Sequence, residues 1–395
     1  MSELPKDGNL LFDKYLRKID YAFRWSGLHL RNRDDYNMKK ARFLYWFNSF
    51  WLNKEIVGGI CFIAKGAANG GLVSMTHTAP SITLALLSNI RSLSIMWHHG
   101  YVDKLVFKLR ELETKTDLNN NDNKTYVERP IEFLHFVLKL SGFFNWLLIL
   151  AFPLMPLSIS VYNYLVLKKV ELVLPFLISY PFDAYDIKIY PFVLLHNIYS
   201  ESFYYICTTF IVVQFKLLQQ EIKVIIPKKS GNRGGKQNVD KVFQMKIMEL
   251  VKWHQALMDA VAILETIYSK STLFNFVSSS AMICLAGFNI TMIDNVAFII
   301  MFLALLCLSL VQIFLFCFFG DTIIRSNLEV SDAVYNCNWY LTSAKKAKML
   351  HYLQMRGHRP CKLTAYGFAD VNMIAFSKIM NSAWSYFALL KTVNK

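Results

Sequence analysis

The sequence predicts an all-α integral membrane protein with seven transmembrane helices. Three observations carry that prediction. Of 395 residues, 54% are hydrophobic and 15% aromatic, and the mean hydropathy is +0.30. Long apolar runs recur along the chain without a linker between them, which argues for one multi-helix unit in a bilayer rather than several soluble domains. The basic residues, finally, alternate between rich and poor loops, as membrane topology requires.

Residues 1–42 are polar and hold ten Lys or Arg. They have no early apolar core, which argues against a cleaved signal peptide. Leu10, Leu11, Tyr15, Ile19, Phe23 and Leu28 fall near helical spacing. The segment reads equally as a helix lying on the membrane surface and as a solvated tail.

Seven spans follow. The first covers 43–64 and is interrupted by Lys54 and Glu55. The second covers 72–97, with Pro80 near its start, and follows a short Gly-rich connection. The third covers 131–152, the fourth 192–215 with Glu201 inside, the fifth 272–290, and the sixth 296–319, which has no charge. The seventh lies in 361–390, which as a helix would run ~45 Å at ~1.5 Å per residue, against ~30 Å of hydrocarbon. It holds Asp370, Asn372, Ser377, Lys378, Asn381 and Ser385. Such groups face protein or water rather than lipid, so this helix suits the lining of a pore.

The loops set orientation. Lys plus Arg number ten before span one, six between 97 and 131, nine in 216–252 and seven in 325–362. The opposite side has Lys65 alone in the first short loop, three in 153–191, none in 291–295 and two after Leu390. The excess places the N-terminus in the cytoplasm and the C-terminus outside. It also accounts for the net charge of +15 without nucleic acid. This orientation, and the lack of Asp-Arg-Tyr after span three or Asn-Pro-x-x-Tyr in span seven, argues against a G-protein-coupled receptor.

The proline-rich 153–191 segment reads as an ordered outer lid, and 227–239 as a flexible cytoplasmic loop. Residues 240–271 resume helical spacing, so span five is expected to continue into the cytoplasm, where such extensions would bundle between subunits. Asn289-Ile290-Thr291 is a formal glycosylation sequon on the outer side.

No phosphate loop, HExxH or GxSxG is present, and the seven cysteines form no CxxC or Cys/His cluster. Neither an enzyme, a metal site nor a cofactor is expected. Candidate ligand contacts are instead apolar. Val73, Thr76 and His77 lie at the outer end of span two; Gly142 and Trp146 share a face of span three; Tyr199, Phe203 and Ile206 share one of span four. A cavity so walled suits a small apolar ligand, although ordinary helix packing explains each residue singly. Lys378 is expected to pair with Asp370 or a neighbouring helix, or to edge a water path. Leu389 and Val393, four apart, suit a hydrophobic constriction.

The chain resembles the insect odorant receptors over nearly its whole length. The ending Ser385-Tyr386-Phe387-Ala388-Leu389-Leu390 is close to the family's S-Y-F-x-L-L. Phe316-Cys317-Phe318-Phe319-Gly320, followed by Ser331, Ala333, Tyr335 and Trp339, matches its F-x-x-x-G pattern. The inverted topology agrees. The gustatory ending and the co-receptor's longer loop after span four are absent. A gustatory-type channel and a seven-helix G-protein-coupled receptor are the alternatives.

The resemblance implies an odorant-gated, non-selective cation channel in the plasma membrane of a sensory dendrite. It implies a tetramer with the co-receptor and a small volatile ligand in an outer pocket of spans two to six, where Gly142 and Trp146 match a Gly-x-x-x-Trp pair. It implies a gate at Leu389 and Val393. Thr392 stands where the co-receptor has Gln near the pore mouth, so ion selectivity does not carry over. The implied division is a cytoplasmic segment over 1–42, spans one to six with the pocket over 43–320, a cytoplasmic anchor over 321–363, and the pore helix with its tail over 364–395.

Overall fold

The computed structural model describes residues 10–26, 38–68, 72–116, 126–143, 190–226, 236–293 and 295–393. These form helices α1 (Leu11–Ser26), α2 (Met38–Ala68), α3 (Leu72–Trp97), α4 (His99–Lys115), α5 (126–143) and α6 (Tyr190–Val224). They continue with α7 (Lys236–Met292), α8 (Val296–Tyr335), a 3₁₀ turn at Trp339–Leu341, α9 (Ala344–Gly357) and α10 (Met373–Val393). No strand appears among the described residues; Thr364 and Asp370 form one isolated bridge.

The seven expected spans correspond to α2, α3, α5, α6, the C-terminal part of α7, the N-terminal part of α8, and α10. The second span agrees with α3 at both ends. Within α7 and α8, Lys241–Met292 and Phe298–Leu341 are long and apolar enough to cross a membrane by length and composition alone. The second half of the third expected span, Trp146 and residues 153–189 of the expected lid lie outside the described residues; Tyr190 and Pro191, read as the end of that lid, instead open α6.

α6 is the hub. From Ser202 to Phe215 every residue is buried, the signature of a helix enclosed on all sides. α7 is one unbroken helix of 57 residues, ~85 Å at ~1.5 Å per residue. Its N-terminal half therefore projects beyond any bilayer, as the helical spacing of 240–271 predicts. The amphipathic α4 lies against that projection through Val102, Leu105, Leu109 and Leu112, at i, i+3, i+7 and i+10 spacing.

α3 runs antiparallel to α7, stitched by polar bonds at near-constant register. Thr76 meets Asn289, Thr83 reaches Met282, Arg91 Nη2 donates to Asn275 Oδ1 at 2.9 Å, and the Ser94 hydroxyl donates to the Ile267 carbonyl. On its other face α3 packs closely on α2. A Cβ on Gly59 would stand 2.5 Å from Ile82 Cγ1, so any larger residue there would have to displace the Ile82 side chain.

Two expectations need correction. Residues 1–42 are not simply a surface helix or tail: α1 buries Phe12, Tyr15, Leu16 and Ile19 in the main core. Phe12 meets Phe210 edge-on at 5.0 Å. The α1 N-terminus is capped by a distant carboxylate, with the Leu11 and Phe12 amides donating to Glu113 at 2.6 and 3.1 Å. Asp13 pairs with Arg110 at 2.8 Å.

The second concerns the terminal helix, which begins at Met373 rather than near residue 361. Tyr366 and Gly367 take φ of 52° and 79° and break the chain into a turn. The turn is tied to α7 by the Thr364 hydroxyl donating to Glu265 at 2.6 Å. Asn372 Oδ1 accepts the Ala375 amide at 2.9 Å and starts α10 as an N-cap. Asp370 therefore precedes the helix and pairs with Lys362 at 2.9 Å, not with Lys378.

Candidate functional site

The end of α7, the start of α8 and the C-terminus of α10 define one end of the bundle, the outer end in the expected topology. α10 runs parallel to α7, its Phe387 ring lying 3.7 Å from where a Cβ on Gly287 would stand. At the opposite end Gly320 allows Val371 to pass; a Cβ there would overlap the Val371 carbonyl oxygen.

Thr76 lies at the outer end. It is buried, its hydroxyl donating to Asn289 Oδ1 at 3.1 Å. Val73 and His77 occupy the same turn of α3. Asn289 itself is fully buried, its Nδ2 donating to the carbonyls of Thr76 and Leu285 at 2.8 and 2.9 Å. The formal sequon is therefore no glycan acceptor: its side chain is an internal tie.

Phe203 and Ile206 lie elsewhere. Both are fully buried in the main core. Their neighbour Tyr204 stacks on Phe316 at 4.2 Å, packs edge-on against Tyr268 at 5.3 Å, and donates its hydroxyl to the Phe316 carbonyl. Tyr268 is 21 residues before Asn289 on the unbroken helix α7, or ~30 Å at ~1.5 Å per residue. The structure thus does not bring Phe203 and Ile206 together with Thr76. The spacing along α6 was legible, but its depth in the bundle depends on where the helix begins. Tyr199 lies one turn outward of Phe203.

Gly142 is half-buried near the end of the described part of α5, and a Cβ there would meet no described atom within 4 Å. Phe133, on the same helix, contacts Phe318 and Phe319 at 5.3 and 5.9 Å. Gly142 therefore lies ~13 Å outward of that aromatic layer, between its level and that of Thr76.

α10 buries only a narrow stripe, Ala375, Ile379 and Ala383, at i, i+4, i+8 spacing. Lys378, Asn381, Ser382, Ser385, Leu389 and Thr392 share another face by 100° spacing, and each of them is exposed. The Ser382, Ser385 and Thr392 hydroxyls donate to Lys378, Asn381 and Leu389 carbonyls of their own helix. Leu389 and Val393 are 59% and 70% exposed at the outer end. In a single chain, then, a face that is polar through its middle lies open, with exposed apolar residues at its two ends, Ile374 at the start and Leu389 and Val393 at the outer end. Among the described residues no cluster of His, Cys, Asp or Glu fits a metal ion.

Sequence reasoning named Asn289 and Asn372 without their roles as an interhelix tie and a helix cap, and missed Glu113. Asn372 carries a cap signature that could have been read; the partners of the other two lie on distant elements.

Residues 72–384 match a family model described as 7tm Odorant receptor. Putative odorant receptor 92a of Drosophila melanogaster is 25% identical over 402 residues, covering 98% of this chain and 96% of that one. Odorant receptor 67c of the same species is 25% identical, covering 86% and 85%. The olfactory receptor OR5 of Machilis hrabei, solved in complex with eugenol, superposes with a TM-score of 0.81 at 17% identity, covering 97% of this chain and 98% of that one.

Proposed function

This chain belongs to the odorant receptor family, and from that premise we propose that it is the odour-tuning subunit of a ligand-gated, non-selective cation channel. The observation that carries the reading is α10. Its open face is polar along most of its length and ends in Leu389 and Val393. An unpartnered face of that kind suits a water-filled path with a constriction that gates by dewetting.

The N-terminus lies in the cytoplasm, following the excess of Lys and Arg on that side. Residues 1–42 are then cytoplasmic, 43–320 hold spans one to six, 321–363 form a cytoplasmic anchor, and 364–395 supply the pore helix and tail. The protein is a multi-pass membrane protein, and sensory dendrites are its site of action. The partner is the odorant co-receptor, whose α10 counterpart would face the same pore.

The ligand is a small volatile apolar molecule bound at the outer end. Its walls are the α3 turn with Val73, Thr76 and His77 and the Gly142–Trp146 face of α5; Tyr199, one turn outward of Phe203 on α6, lies below these walls. Phe203 and Ile206 support this pocket from below rather than touching the ligand. Binding favours the open pore to the extent that the ligand prefers that state. Lys378 and Thr392 border the path inward of and beside the gate.

The test is whole-cell current in cells expressing this chain with and without an insect co-receptor. The probes are eugenol and a panel of short-chain esters, alcohols and ketones. Odorant-evoked cation current requiring both chains supports the reading. Current from this chain alone refutes the tuning-subunit assignment, and silence with surface expression refutes the ligand class.

A further inference from the structure

α3 has a gap in its backbone bonding, and α7 fills it. Pro80 lies inside α3 and has no N–H, so the Thr76 carbonyl, four residues earlier, lacks its ordinary helical donor. Asn289 Nδ2 supplies one at 2.8 Å, and Asn289 Oδ1 accepts the Thr76 hydroxyl at 3.1 Å. One fully buried amide thus makes two bonds to one residue of the opposed helix. Just past Pro80, Thr83 Oγ1 lies 2.9 Å from both the Ala79 and Pro80 carbonyls and 2.8 Å from Met282 Sδ. The turn before Pro80 is therefore fixed by contacts with α7 where its own ladder is broken.

We infer that Asn289 is a positioning residue for ligand response: it latches the Pro80-freed turn of α3, which carries Val73, Thr76 and His77, onto α7. The inference rests on the reading of that turn as a pocket wall. An unmet carbonyl is costly in an apolar span because no water replaces the missing donor. The latch therefore selects one position of the wall. Two residues away on α7, Gly287 faces Phe387 of α10. The wall and the outer end of the pore helix are thus held by the same turn of α7.

Two readouts on the full chain, co-expressed with the co-receptor, test this. The first needs no ligand: hydrogen exchange in 72–80 of the purified complex. Asn289→Leu should speed exchange there roughly two- to tenfold, the worth of one hydrogen bond, with 300–330 unchanged. Adding Pro80→Ala restores an N–H for the Thr76 carbonyl and should return exchange toward the wild-type rate. The second is the half-maximal concentration of the most potent compound among eugenol and the panel above. It should shift by a similar factor in Asn289→Leu, at unchanged maximal current, and recover in the double variant.

Unchanged exchange in Asn289→Leu, or no recovery with Pro80→Ala, overturns the latch. Faster exchange with an unmoved half-maximal concentration overturns its role in ligand response. A wild-type complex silent to every volatile overturns the pocket reading, while exchange still judges the latch. If Asn289→Leu does not reach the surface, Asn289→Gln displaces the same amide by one methylene and is read in the same way.

Discussion

Glu113 is an internal carboxylate doing the work of a helix cap. Its two oxygens accept the first amides of α1, and burial, opposed by those two bonds and reinforced by nearby Asp13, raises its pKa to about 7. Among the described residues the charged groups beside it are Asp13 and the Arg110 that pairs with Asp13. A raised pKa means that docking α1 takes up a proton. The contribution is full below the ordinary value near 4.5, and is lost as pH rises through 7. Hydrogen exchange in α1, corrected for its intrinsic pH dependence, should therefore show firmer docking at pH 6 than at pH 8. Glu113→Gln should abolish that difference at a cost of about 1 kcal/mol. Asn289 offers a second check at this scale. Its buried amide predicts no mobility shift of the expressed protein on glycosidase treatment attributable to this sequon.

Gly320 and Val371 show why elements here depend on small residues. Gly320→Ala would force α10's entry away from α8, and about 1–3 kcal/mol of overpacking should appear as reduced thermal stability in detergent. α10 illustrates the limits of pattern. Its apolar spacing and polar stripe were legible, whereas its start was not. Residues 361–372 are apolar enough to extend a helix, but Tyr366 and Gly367 at positive φ and the Asn372 cap end that option. Likewise α1 was legible as amphipathic, but its docking on Phe210 and Glu113 involves residues about 100 or more positions away in sequence. If Leu389 forms the proposed constriction, Leu389→Ala should raise ligand-free current several-fold by wetting it.

At the scale of the molecule, apolar runs and loop charge were enough to read an all-helical bundle and the order of its spans. Each span must satisfy its own backbone in lipid, which leaves few alternatives. The candidate pocket was legible only in part. Thr76 and Gly142 occupy the outer half of the bundle, but Phe203 and Ile206 belong to the aromatic layer around Tyr204, Tyr268 and Phe316. Helical periodicity reports which face a residue shares and not its depth, because α6 and α3 can slide along the bundle without altering either pattern.

Lining of an odorant-gated pore by α10, as proposed, is tested by cysteine substitution along α10, with an impermeant thiol reagent applied during odorant-evoked current. Rapid modification and block are expected at Ser385, Leu389 and Thr392 on the open face, and none at Ile379 and Ala383 on the buried face. Block that is equal on both faces, or absent from all five positions while current persists, would contradict it.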